Sequence, residues 1–100
     1  MPISAPPRNV DVLPHVFVGS VTIGGLAAPD GTEVTVWVSQ YNGPVGTGTV
    51  TAGNYSVLAH QHGTTSFDGE ILIFKVNGKE SGKTGIWKTG DATILAFSLD

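Results

Sequence analysis

Turn-forming residues interrupt this chain at short, regular intervals, and the segments between them alternate apolar with polar residues. Glycine and asparagine tolerate the positive φ angles that tight turns need, and proline presets φ for a turn. The turn sequences are Gly24-Gly25, Pro29-Asp30-Gly31, Asn42-Gly43-Pro44, Gly53-Asn54, Asp68-Gly69, Asn77-Gly78 and Gly90-Asp91. Because no segment shows the apolar spacing of an amphipathic helix, the pattern predicts an all-β chain.

Seven strands are predicted between these turns. The segments are 16–23, 33–40, 45–51, 55–61, 70–76, 84–88 and 92–99. Seven short antiparallel strands are typical of the simplest immunoglobulin-like domain, in which two sheets pack face to face. Since 100 residues supply one hydrophobic core, the sequence predicts a single immunoglobulin- or prealbumin-like β-sandwich of two sheets over residues 15–100.

The core of the predicted sandwich follows from strand geometry, because alternate residues of a strand lie on the same face of a sheet. In most of the predicted strands, the apolar residues of one parity form a set that we expect to be buried. These residues are Phe17, Val21, Ile23, Val34, Val36, Val38, Tyr55, Val57, Leu72, Phe74, Val76, Leu95, Phe97 and Leu99. Segment 45–51 is instead rich in glycine and threonine, which predicts a strand at the edge of a sheet.

The same parity turns other apolar side chains outward. Trp37, Ile71 and Ile73 share an outer face because immunoglobulin-like topology makes their strands neighbours. Val16 and Val18 extend this predicted patch from the first strand. Monomeric proteins rarely leave a contiguous apolar patch exposed to water, so we expect these five residues to form an interaction face.

Three hypotheses for the occupant of this face remain open. Self-association, into a homo-oligomer or a larger assembly, is favoured because aliphatic residues dominate the patch and only 13% of all residues are charged. The second hypothesis is coverage by the chain's own N-terminal segment. The third is a carbohydrate platform on Trp37, with Trp87 or Tyr41, because flat sugar faces stack on aromatic rings. Trp87 is more simply explained as a core residue.

Residues 1–14 differ in composition from the rest of the chain. Pro2, Pro6, Pro7 and Pro14 fix φ and remove backbone donors. The segment is therefore predicted to be an extended arm, which serves as a linker or as a strand exchanged with a neighbour. Its sequence lacks the basic and apolar regions of a signal peptide.

Charge and composition exclude several classes of partner. A net charge of −3 and an isoelectric point near 5.4 provide no attraction for nucleic acid or anionic lipid. No segment approaches the apolar length of a membrane span, so membrane insertion is not expected. The absence of cysteine excludes a disulfide framework, a zinc–thiolate site and a cysteine nucleophile.

His60 and His62 are the strongest candidates for ligand chemistry. Residues i and i+2 of a strand share a face, so both imidazoles can bind one metal ion, with His15 or Asp68 as a further ligand. The alternative is a pair of solvent-exposed histidines at the polar end of a strand. Serines lack the motifs of a nucleophile and the carboxylates are scattered along turns, so the chain is predicted to have neither an enzymatic activity nor a cofactor.

Three segments resemble the prealbumin-like, carboxypeptidase-regulatory-like β-sandwich modules. They are Gly19-Ser20-Val21-Thr22-Ile23, Ala27-Ala28-Pro29-Asp30-Gly31-Thr32-Glu33-Val34 and Thr51-Ala52-Gly53-Asn54-Tyr55-Ser56-Val57. Such modules are accessory domains of secreted or cell-surface proteins and have no catalytic activity of their own. The resemblance therefore implies an extracytoplasmic location, and together with the outer face it suggests a structural, self-associating module.

Overall fold

The computed structural model describes Ser4 and residues 6–99, and every regular element within them is a β-strand. The nine strands are β1 (His15–Ile23), β2 (Leu26–Ala27), β3 (Glu33–Trp37), β4 (Gly46–Thr51), β5 (Asn54–Ala59), β6 (Ile71–Val76), β7 (Lys79–Ile86), β8 (Ala92–Ile94) and β9 (Phe97–Leu99). The predicted all-β class is confirmed. No helix in the described residues is long and apolar enough to cross a membrane.

The strands join into one strongly curled sheet with the order β2-β1-β5-β4-β3-β6-β7. All neighbours along this path are antiparallel. β8 and β9 instead pair with β1 in parallel, so the prediction of antiparallel strands throughout is wrong for the last segment. The chain crosses there from β7, at one end of the path, to β1 near the other, and it arrives running in the same direction as β1.

Two of the predicted strands have different bounds in the structure. β7 begins at Lys79 and not at position 84, because Asn77 and Gly78 have φ angles of 49° and 81° and form a two-residue hairpin turn. The last predicted strand is divided into β8 and β9 at Leu95 and Ala96, where Leu95 donates its backbone N–H to Val18 and its carbonyl accepts the Tyr55 hydroxyl.

The core assignment by parity is confirmed for most positions. Of the predicted residues, eleven are buried, and Ile23, Leu95 and Leu99 are partly buried against them. Trp87 is fully buried and donates its Nε1–H to the Ala59 carbonyl over 2.7 Å, so its interpretation as a core residue is also confirmed. Phe67 packs edge-on against the Trp87 ring.

The prediction that segment 45–51 forms a sheet edge is wrong. β4 lies between β5 and β3: its first part pairs with β3, and Val50 and Thr51 pair with β5. The glycines of β4 are instead required by close packing, because a Cβ atom on Gly48 would stand 2.2 Å from the Ser56 carbonyl oxygen. The missing side chains allow the backbone of β4 to approach β5, and along β4 the pairing passes from β3 to β5.

The described part of the N-terminal segment lies against its own domain. The backbone N–H of Asn9 donates to the Gln61 carbonyl, and the N–H of Gly63 donates to the Pro7 carbonyl. Arg8 forms a single antiparallel bridge with His62. Residues 1–3 and 5 of the predicted arm lie outside the described residues.

Candidate functional site

The solvent-facing side of β3, β6 and β7 carries four apolar side chains. We call this set the outer face: Trp37, Ile71, Ile73 and Ile86. Trp37 lies directly opposite Ile73 across the β3–β6 pair, and Ile71 lies opposite Ile86 across the β6–β7 pair. Ile71 is 58% exposed and Ile86 is 50% exposed. Ile86 is not among the residues that the sequence predicts for this face, although a hairpin at Asn77-Gly78 places it on the strand adjacent to that of Ile71.

The polar contacts of Trp37 are made within the protein. Its Nε1–H donates to Thr35 Oγ1 over 2.8 Å, and the Lys75 ammonium nitrogen lies 4.1 Å from the centre of the indole ring. A cation over an aromatic face is attracted by the ring quadrupole. Lys75 therefore occupies part of the ring surface on which a sugar would have to stack.

Val16 and Val18 do not join the outer face. β1 pairs with β5, β8, β9 and β2, so these two valines lie beside Leu58 and Ile94. Ile94 is 83% exposed and Leu58 is also exposed. The predicted five-residue patch is therefore divided into the outer face and a second apolar surface, which consists of Val16, Val18, Leu58 and Ile94.

His60 and His62 do share one side of the chain, as predicted from their spacing. Both follow the end of β5 and line an open groove of about 430 Å³ together with Arg8. His62 Nδ1 lies 2.7 Å from the Pro6 carbonyl oxygen, which accepts its proton. His60 Nδ1 is shielded from solvent and is the one buried side-chain nitrogen or oxygen of the described residues without a hydrogen-bond partner.

The two suggested additional ligands lie elsewhere. His15 points into the core, where its ring stacks on Phe17 with 4.1 Å between the ring centres. Asp68 accepts hydrogen bonds from the backbone N–H and the hydroxyl of Thr89. Within residues 6–99 and Ser4, no three His, Cys, Asp or Glu side chains come together as metal ligands would. The three-ligand site considered from the sequence is not assembled.

His15 also forms a hydroxyl–imidazole pair, since its Nε2 lies 2.7 Å from Thr93 Oγ1. The backbone N–H of Lys88 donates to His15 Nδ1 over 3.0 Å, so the neutral ring carries its proton on Nε2. A general base needs a free lone pair toward the hydroxyl that it activates. The pair is therefore a structural hydrogen bond and not a nucleophile with its base.

Acidification should destabilise the fold through His15. Burial lowers the pKa of this imidazole below its ordinary value of 6.5, and nearby Asp91 opposes the shift only in part. The unfolded chain therefore binds a proton more readily than the folded chain. The part of the free energy of unfolding that depends on a neutral His15 is fully present above pH 6.5. It is lost as the pH falls from there toward the lower folded-state pKa. Burial, Arg8 and His62 also lower the pKa of His60, so His60 contributes with the same sign.

We expect the melting temperature to fall between about pH 7.5 and about pH 5, and the fall to be smaller in His15→Phe. The phenylalanine preserves a ring against Phe17 but cannot be protonated, while it removes the acceptor of the Lys88 N–H. The variant should therefore be less stable at neutral pH and less sensitive to acid. Thermal melts followed by circular dichroism, with His60→Phe in parallel, separate the two histidines. Equal acid sensitivity of His15→Phe and the parent chain would contradict the assignment.

Comparisons of this chain with protein-family models, with curated proteins and with solved structures found no match.

Proposed function

We propose that this chain is a non-enzymatic structural module that self-associates through the outer face. The observation that carries the proposal is the exposed cross-strand pair Ile71 and Ile86, which continues into Trp37 and Ile73 on the same side of the sheet. Burial of apolar surface is the main favourable term in protein association. Aliphatic side chains on a rigid sheet form such a contact without reorganisation of the backbone.

A second copy of the chain is the occupant that the outer face fits best. Beside the isoleucines lies a hollow of about 250 Å³, lined in part by Ile73, Thr84 and Gly82. Exposed side chains next to a hollow make a surface that can be complementary to itself under two-fold symmetry. At its border, Lys75 and Glu80 are directly opposed across β6 and β7. Two-fold symmetry can place each of them near the opposite charge of the second copy.

The proposal also includes a sandwich-like arrangement of the sheet and an extracytoplasmic location of the protein. The curled sheet buries one continuous core, and the three segments that resemble prealbumin-like modules lie in β1, in β2 with the approach to β3, and at the β4–β5 hairpin. We therefore propose a variant of the immunoglobulin-like sandwich, in which β4 contributes to both layers. An extracytoplasmic assembly, secreted or on a cell surface, is the setting that this resemblance suggests.

We expect the protein to dimerise with increasing concentration and the double variant Ile71→Ser/Ile86→Ser to weaken the dimer by about tenfold or more. The physical reason is the loss of apolar area at the centre of the contact. The measurement is multi-angle light scattering across a wide concentration range. Ile94→Ser is the matched control, because Ile94 is more exposed but lies on the second apolar surface.

Two results would contradict this proposal. One is a strict monomer at the highest soluble concentration, and the other is an equal effect of Ile94→Ser and the double variant. Carbohydrate binding at Trp37 is a separate outcome, seen as a change in tryptophan fluorescence with soluble polysaccharide that is absent in Trp37→Ala.

A further inference from the structure

The groove between β4, β5 and the N-terminal segment is lined by a distinctive set of groups. Arg8, His60 and His62 line it together with two hydroxyl-bearing residues, Thr47 of β4 and Ser56 of β5. Leu58 supplies an apolar wall. At about 430 Å³ the groove has the volume of a site for a small molecule.

The charge of this groove has one sign. None of the described residues that line it is acidic, and the Arg8 guanidinium carries a positive charge. Burial lowers the pKa of His60, and the nearby Arg8 and His62 lower it further. Such an arrangement repels a metal cation and attracts an anion, although the protein as a whole carries a net charge of −3.

Each of the two histidines has a ring nitrogen without a hydrogen-bond partner among the described residues. The Pro6 carbonyl accepts the Nδ1 proton of His62, which orients the ring and leaves Nε2 without a partner among the described hydrogen bonds. His60 Nδ1 also has no partner, although buried polar groups are nearly always hydrogen-bonded. Because His60 Nδ1 is shielded from solvent, it is unused hydrogen-bonding capacity in the wall of the groove, and an anion reaches it only after the imidazole ring turns.

We propose that this groove binds a compact oxyanion, a sulfate, phosphate or carboxylate group, through the Arg8 guanidinium with His60 and His62. The guanidinium presents paired donors that match such a group, and the hydroxyls of Thr47 and Ser56 supply weaker donors. The site is independent of self-association, since the outer face belongs to β3, β6 and β7. It requires the N-terminal segment, which supplies Arg8 and orients His62.

Affinity for the anion should rise as the pH falls from about 7.5 to about 5.5, because each protonated imidazole adds a positive charge. The titratable and charged groups that line the groove are Arg8, His60 and His62; the stretch 44–47 of the facing wall carries none. By linkage, a bound anion opposes the lowering of the His60 pKa that burial, Arg8 and His62 cause. Sulfate is the suitable probe, because its own charge is constant over this range.

The test is a titration of the full chain with sodium sulfate against sodium chloride at matched ionic strength, followed through the imidazole resonances in NMR spectra. We expect saturable shifts of His60 and His62 with a Kd on the order of millimolar, as suits a small ion in an open groove. Arg8→Gln should weaken binding by about tenfold. Lys88→Gln, which removes a cation outside the groove, should leave it unchanged.

Further titrations identify the kind of molecule that carries the anionic group. Glucuronate and glucose 6-sulfate binding as tightly as sulfate, or more tightly, would indicate an acidic sugar, whereas binding of sulfate alone would indicate a free oxyanion. The proposal fails if neutral glucose binds equally well, if Arg8→Gln retains full affinity, or if Zn²⁺ but no anion produces saturable shifts. Circular dichroism melts of each variant establish that the fold is intact.

Discussion

Replacement of Trp87 by alanine should lower the free energy of unfolding by about 3 to 5 kcal/mol, the largest effect expected of any single side chain here. The indole is fully buried, packs edge-on against Phe67, and satisfies the Ala59 carbonyl through its Nε1–H. Alanine would leave a cavity and an unpaired carbonyl. A domain of this size has about 5 to 15 kcal/mol of stability in total, so urea unfolding should show a greatly lowered midpoint.

Trp87→Phe keeps this prediction testable if the alanine variant does not fold. It preserves most of the ring volume but removes the donor to the Ala59 carbonyl, and we expect a loss of about 1 to 3 kcal/mol. Trp37→Ala is the control, with an expected loss of about 1 kcal/mol, since Trp37 is only partly buried. Equal losses for Trp37→Ala and Trp87→Ala would show that the core assignment is wrong.

Gly48→Ala should destabilise the protein by about 1 to 3 kcal/mol or more, although alanine ordinarily stabilises a chain relative to glycine. Its Cβ would stand 2.2 Å from the Ser56 carbonyl oxygen and 3.2 Å from the Val57 Cβ. Both atoms belong to β5, so the strand itself must move. β4 pairs with both β3 and β5, so separation of β4 from β5 would loosen the core beneath.

Gly43→Ala is the matched control for this prediction. An added Cβ at Gly43 meets no heavy atom within 4 Å, and its φ is not in the left-handed region. We expect its stability to stay within about 0.5 kcal/mol of the parent. Urea unfolding of both variants measures the difference. If the two substitutions had the same effect, the close approach of β4 and β5 would not exist in solution.

Much of the local structure was predictable because it depends on short-range rules. Parity assigned Val34, Val36 and Leu72 to the core. Residues of one parity all lie on the same face of a strand unless the register changes. The Asn77-Gly78 turn was also recognisable, since positive φ at two successive residues favours this pair.

The candidate site was predictable only in part. The shared side of His60 and His62 follows from their spacing, and the common face of Trp37 and Ile73 follows from parity once β3 and β6 are neighbours. The contribution of Arg8 was not visible, because it depends on the N-terminal segment returning to the end of β5. Nothing in the local sequence around Arg8 marks that contact.

The sequence by itself determined the all-β class, the turns and the inward faces of most strands, because side-chain alternation and turn chemistry act over a few residues. Tertiary structure alone decided which strands are neighbours. It placed the glycine-rich β4 in the middle of the sheet and separated Val16 and Val18 from the outer face. Strand order depends on which edges meet after long connections, and many orders satisfy the same alternation. Only close packing, such as the approach of Gly48 to Ser56, distinguishes among them.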